Sequence, residues 1–178
     1  MKIYLAGPDV FRPDALSWAN SARALCHQHG FEALTPLDHR ETEPRKICEC
    51  NLALIRKAQI VVANLNPFRG TEPDSGTVFE LGYGFAQGKK IWGYLASRAS
   101  LLERVSRFEN QVVVNGVPHA TDTQGLTIEN FGLPLNLMLA MSAHIVTGDL
   151  ASCIAAIRPR NVAASAANAP TKDECLGV

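Results

Sequence analysis

The chain has 178 residues, 47% of them apolar and 19% charged, with 17 lysines and arginines against 17 aspartates and glutamates. Such a chain suits one globular domain that buries its core without disulfides or a structural metal. The charge balance excludes a global field for nucleic acid or anionic lipid, and no apolar run approaches the ~20 residues of a membrane span.

Basic residues cluster no further than pairs such as Lys89 and Lys90, so neither a nucleic-acid nor a membrane partner is expected. The five cysteines, Cys26, Cys48, Cys50, Cys153 and Cys175, are odd in number and scattered. With no signal peptide ahead of them, they predict reduced thiols in a cytoplasmic protein. Cys48 and Cys50 form the one close pair. Without a second Cys or His pair they read as two helix positions, and no metal is expected.

In chain order, residues 2–7 form a short apolar run stopped by Gly7, Pro8 and Asp9, a buried strand closed by a turn. In an open parallel sheet the loop after such a strand faces the ligand crevice. Tyr4 lies near its carboxyl end, either satisfied in the core or aimed at that crevice. Residues 13–29 read as a helix, with Pro13 in its first turn and Gly30 as its stop. Residues 31–35 are a second strand, closed by Pro36, Leu37 and Asp38. His39 opens a polar loop and reads as solvated.

A second helix spans about residues 44–58, with Asn51 on its partly buried side beside Ile47 and Ile55. Residues 59–65 are β-branched and apolar on both faces, as a central parallel strand requires. A loop leads to residues 73–88, where the turn residues Pro73, Asp74, Ser75 and Gly76 pass into an apolar helical pattern. Residues 90–95 give a fourth strand. From 96 to 132 the pattern loosens, with a short helix at 101–108 and a strand-prone run at 111–118 that carries a turn signal at Asn115 and Gly116. A helix within 131–141, a strand at 143–146 and a helix at 150–157 complete the series.

Strand and helix alternate five times. This predicts an α/β fold, a doubly wound five-stranded parallel sheet, flavodoxin-like (Rossmann-like), as one domain over residues 1–158. Residues 159–178 are low in complexity and predict a disordered tail. Neither GxGxxG nor a Walker A sequence is present, so no cofactor is expected.

The chemistry concentrates in Asp74 and Glu80, six residues apart where the turn becomes a helix. Two carboxylates beside a crevice suit glycosidic chemistry, one attacking the anomeric carbon while other groups hold the sugar. Tyr4 could orient Glu80 by a hydrogen bond. The competing account makes Asp74 a plain helix cap and Glu80 a solvated glutamate near the first turn.

Residues 3–8 (IYLAGP), 63–70 (ANLNPFRG), 73–83 (PDSGTVFELGY) and 136–138 (NLM) resemble, in order and with the spacing from Asp74 to Glu80 retained, the nucleoside 2-deoxyribosyltransferase family. The resemblance covers residues 3 to about 147. It implies a pentosyltransferase that exchanges the base of a 2′-deoxynucleoside for a free nucleobase with retention. Glu80 is then the nucleophile, Tyr4 its positioning partner and Asp74 the group that binds sugar hydroxyls. Gly7 and Asp9 fall where the family contacts substrate, and Asp9 is a candidate to serve the base. Asn136 and Met138 would reach a neighbouring subunit's site, implying a homo-oligomer. Family members often carry an aspartate where this chain has Asn51, and an amide hydrogen-bonds a base but cannot protonate it. Two rivals stand beside this reading. One is a hydrolase of nucleosides or their 5′-monophosphates, for which Ser75 and Arg69 are the nearest anion-binding groups. The other is a non-catalytic nucleotide-binding module on the same sheet.

Overall fold

The computed structural model describes residues 1–109, 113–114 and 120–157. In it the apolar runs become the middle of one parallel sheet. The strands and helices β1 (Lys2–Ala6), α1 (Ala15–Gln28), β2 (Glu32–Leu34), α2 (Pro44–Lys57), β3 (Ile60–Asn64), α3 (Ser75–Ala86) and β4 (Lys90–Leu95) alternate as predicted. Then come α4 (Leu101–Glu109) and three two-residue strands, β5 (Val113–Val114), β6 (Ala120–Thr121) and β7 (Thr127–Ile128). The described chain closes with α5 (Leu137–Ser142), β8 (His144–Thr147) and α6 (Leu150–Ala156). The main sheet has the order β2-β1-β3-β4-β8 with every neighbouring pair parallel. This is the doubly wound five-stranded sheet expected from the sequence. Its strand order reverses between β1 and β3, where such folds open a crevice.

Strand parity divides the core into two layers. From β1, Tyr4 and Ala6 pack with Ile55 of α2, Leu81 of α3 and Leu139 of α5, alongside Val61 and Ala63 of β3. Ile3 and Leu5 point the other way, onto Ala22 and Cys26 of α1 and Cys153 and Ile154 of α6. Because both faces are covered, the inner strands can be apolar throughout.

Two short 3-10 turns escape the sequence reading, Pro8–Phe11 after β1 and Pro36–Asp38 after β2. The small antiparallel sheet β5-β6-β7 takes β5 from the strand-prone run 111–118, while β6 and β7 were not expected. Strands this short carry no readable period. Helix α5 starts at Leu137, well inside the predicted span. There the Asn136 side chain accepts a hydrogen bond from the Met138 N–H (3.0 Å) and caps the helix. The turn predicted at Asn115 and Gly116 and the tail 159–178 lie outside the described residues.

One contact sets how closely α3 approaches the sheet. A Cβ at Gly84 would sit 2.7 Å from Val61 Cγ2 and 3.3 Å from Ile91 Cδ1. Val61 is fully buried and β-branched, so its side chain has little freedom to turn aside. Gly84→Ala gains about 1 kcal/mol of helix propensity and loses about 1–3 kcal/mol to overpacking. We expect net destabilisation in urea unfolding. A raised midpoint would show that α3 can ride outward without cost.

Candidate active site

The side of β1 that carries Tyr4 faces α2 and α3. The tyrosine has 0% exposure, and its hydroxyl donates a 2.7 Å hydrogen bond to Glu80 Oε1 across 76 residues of sequence. Burial, and next the Glu80 carboxylate, push the phenol far above its usual range, so Tyr4 remains a protonated donor. Glu80 stands on the second turn of α3. From α2, Asn51 Nδ2 donates to the same Oε1 at 3.2 Å. The other oxygen, Oε2, has no hydrogen-bond partner among the described residues.

Asp74 caps α3. Its Oδ2 accepts the Thr77 N–H at 2.8 Å and the Thr77 hydroxyl at 2.9 Å. The second oxygen, Oδ1, has no partner among the described residues. Asp74 and Glu80 line one cavity of about 360 Å³. Gly7, Val10 and Phe11, from the end of β1 and the turn after it, form one wall. Pro36, Leu37, His39 and Glu41 form a second, and Ile47 and Asn51 of α2 a third. The cavity therefore joins an apolar slot to a pair of acids. Burial raises the Glu80 carboxyl to about 7, opposed by the Tyr4 and Asn51 hydrogen bonds and reinforced by the Asp74 charge.

Gly7 must stay small, because a Cβ there would lie 2.8 Å from Asp9 Oδ2 and 2.9 Å from Asn64 Cβ. Asp9 itself departs from expectation. Its carboxylate accepts from Asn64 Nδ2 at 2.9 Å and lines a separate cavity with Trp18 of α1 and Tyr94 of β4. It lies on the α1/α6 side of the sheet, away from Glu80, because the 3-10 turn folds it back there. Asn136 and Met138 are also apart from Glu80. Asn136 Nδ2 donates to Glu129 Oε1 at 2.7 Å, and Met138 stands out at 74% exposure.

His39 is the residue that the sequence reading set aside. Its Nε2 lies 3.0 Å from Asn51 Oδ1, and its ring lines the cavity. A capping box over residues 35–38 fixes the loop before it. The Asp38 side chain accepts from the Thr35 N–H (3.0 Å), and the Thr35 hydroxyl accepts from the Leu37 N–H (3.3 Å). Arg23 of α1 pairs with Asp38 and holds the box from outside. The Thr-x-x-Asp spacing was a readable sign of this order. Arg69 lies over the rings of Phe11 and Phe68, 5.4 Å and 4.7 Å from their centroids. Ser75 lines a different cavity from Glu80.

Comparison with known proteins adds an independent line. The family model for nucleoside 2-deoxyribosyltransferase matches residues 3–138. A solved 2-deoxyribosyltransferase from Leishmania mexicana is similar at 34% identity, over 85% of this chain and 93% of that one, with a TM-score of 0.68. An uncharacterised protein of Schizosaccharomyces pombe is 28% identical over 170 residues, 83% of this chain and 81% of its own. A 2-deoxyribosyltransferase from Bacillus psychrosaccharolyticus is 24% identical over 55% of this chain and 74% of that one, with a TM-score of 0.45.

A carboxyl raised to about 7 in the folded chain, against 4.5 ordinarily, keeps a proton that the unfolded chain releases between those values. Its contribution to stability therefore falls as pH rises from about 4.5 to 7 and stays lowered above. Glu80→Gln should be more stable than the parent at pH 8 by up to about 3 kcal/mol, with the gap closing below pH 4. Denaturant unfolding at both values checks this. An equal gap at pH 4 and pH 8 would refute the cost assigned to Glu80 ionisation.

Proposed function

The chain belongs to the nucleoside 2-deoxyribosyltransferase family, and we propose that it exchanges the base of a 2′-deoxynucleoside for a free nucleobase through a deoxyribosyl ester on Glu80, with retention. The observation that carries this reading is the state of Glu80. One of its oxygens is held by two donors, the other has no partner among the described residues, and the carboxyl lines a cavity. Oε2 attacks C1′ and forms the ester bond as the C1′–N bond breaks. The bonding pair leaves with the base, which takes up a proton. A nitrogen of the second base then attacks C1′ from the face the first base left and gives up its proton, which balances the one the first base took up, and the ester pair returns to Glu80. Two inversions give net retention.

Tyr4 and Asn51 keep Oε1 occupied in the carboxylate and in the ester, whose carbonyl oxygen can accept the same bonds. The unpartnered oxygen of Asp74 suits a sugar hydroxyl. Gly7 leaves room at the crevice floor, and the wall of Val10, Phe11, Leu37 and Ile47 offers a base an apolar surface. That surface favours transfer over hydrolysis, because a bound base displaces the water that would compete with it.

Among the described residues, the charged groups lining this cavity are Glu41, Asp74 and Glu80, all acidic. Arg69 lies over two aromatic rings outside the cavity lining, and Ser75 lines a different cavity. An uncharged nucleoside therefore suits the cavity better than a 5′-monophosphate.

The reading includes a homo-oligomer that shares site residues between subunits. Met138, Met141 and Phe85 are 74%, 66% and 57% exposed around an apolar cavity of about 500 Å³ between α3 and α5. A second copy on this face would cover them and bring Asn136 and Met138 toward the partner's site. It also includes a cytoplasmic setting, supported by free thiols at Cys26, Cys48, Cys50 and Cys153.

Deoxyinosine incubated with adenine should yield deoxyadenosine and hypoxanthine, with deoxyinosine 5′-monophosphate the poorer donor. Glu80→Ala should lower exchange at least about a thousandfold. Free deoxyribose as sole sugar product would favour a hydrolase. Retained exchange in Glu80→Ala would sink the assignment, and retained ligand affinity without any parental exchange would favour a binding module. Light scattering during chromatography should show an oligomer that Met138→Asp weakens, with exchange falling in parallel. A fully active monomer would exclude shared sites.

A further inference from the structure

We propose that His39 is a positioning residue: it fixes which end of the Asn51 amide meets Glu80, and so makes Asn51 a servant of the nucleophile rather than of the base. This rests on the deoxyribosyl-transfer reading above.

The chain of contacts admits one polarity. An ionised carboxylate only accepts hydrogen bonds, so Asn51 must turn its NH₂ toward Glu80 Oε1, 3.2 Å away. The carbonyl Oδ1 then faces His39 Nε2 at 3.0 Å and needs a donor there. His39 therefore carries its proton on Nε2, a tautomer assigned from the network. Take the imidazole away, and the amide is free to turn over and place its oxygen against Glu80 Oε1. The two acceptors would repel, and the nucleophile would lose one of its two donors.

The rest of His39 has no other polar task. Its Nδ1 is buried and has no hydrogen-bond partner among the described residues. A buried ring nitrogen left unsatisfied is costly, so the ring's place is set by Asn51 and by the clamped loop behind it. Asn51 in turn has both ends of its amide engaged. The family resemblance had suggested a base contact for Asn51, whereas its bonds run to Glu80 and His39.

Losing the Asn51 bond favours protonated Glu80, because that bond stabilises the charged form. The other titratable groups facing Glu80 are Tyr4 from β1, Glu41 from the loop and Asp74 from the start of α3, with Asp38 acting on Tyr4. Helix α2 adds only Ile47 and Asn51 to the cavity lining. None of these is altered by replacing His39.

The test is the pH profile of kcat/KM for exchange between deoxyinosine and adenine. His39→Leu and Asn51→Ala should each move the acid limb upward and lower kcat/KM roughly tenfold to a hundredfold, mainly through kcat. The double variant should match the worse single one, since both remove the same bond. His39→Gln, whose amide N–H can donate in place of Nε2–H, should return the limb toward the parental position, which a merely space-filling role would not do. An unmoved limb in folded His39→Leu, or shifts that add in the double variant, overturns the proposal. Absence of exchange in the parental enzyme at every pH overturns the transfer reading instead, so the two failures are distinct.

Discussion

The hydrogen bond from Tyr4 to Glu80 is the contact on which the site depends. It joins the first strand to the third helix, and it exists because several unrelated features agree. Strand parity turns Tyr4 toward α3, Gly84 lets α3 lie close against Val61, and Asp74 fixes where that helix begins. A one-residue slip in β1 would send Tyr4 to the α1 face and leave Glu80 buried with one donor fewer.

The electrostatics of the site are a contest between burial and donation. Burial raises the Glu80 carboxyl toward neutrality of pH, while Tyr4 and Asn51 pull it back. A carboxylate left in bulk water would ionise easily but would be a poor, fully solvated nucleophile. One buried without donors would stay protonated. The observed arrangement lies between, which is where a group must be if it is to form an ester and release it again.

Much of this was legible in the sequence. The alternation of apolar runs gave the sheet, and the change from turn to helix at Asp74 located the acids. What it withheld was direction. Asp9 follows a strand whose odd positions, Ile3 and Leu5, face α1, and it ends on that same side. The 3-10 turn over Pro8–Phe11 sets that side after the strand has ended, and no strand period reaches through it. His39 was hidden differently: its partner lies on the next helix, and no local pattern marks a loop histidine as held. The β5-β6-β7 sheet has strands too short to leave a periodic trace.

Asp74 divides its two oxygens between tasks, one closing the start of α3 through Thr77 and the other left open beside Glu80. If the open oxygen holds a sugar hydroxyl, as proposed, architecture and recognition meet in a single side chain, which narrows the routes open to evolution. On the transfer reading, drift in substrate preference cannot proceed by free variation here, since most replacements would remove the cap from the helix that carries Glu80, at a cost of about 0.5–2 kcal/mol. Asparagine keeps an oxygen for the cap and gives the cavity a donor in place of an acceptor. Diversification in such a lineage would therefore fall on the walls, at Val10, Leu37 and Ile47, where size can vary while the floor stays constant.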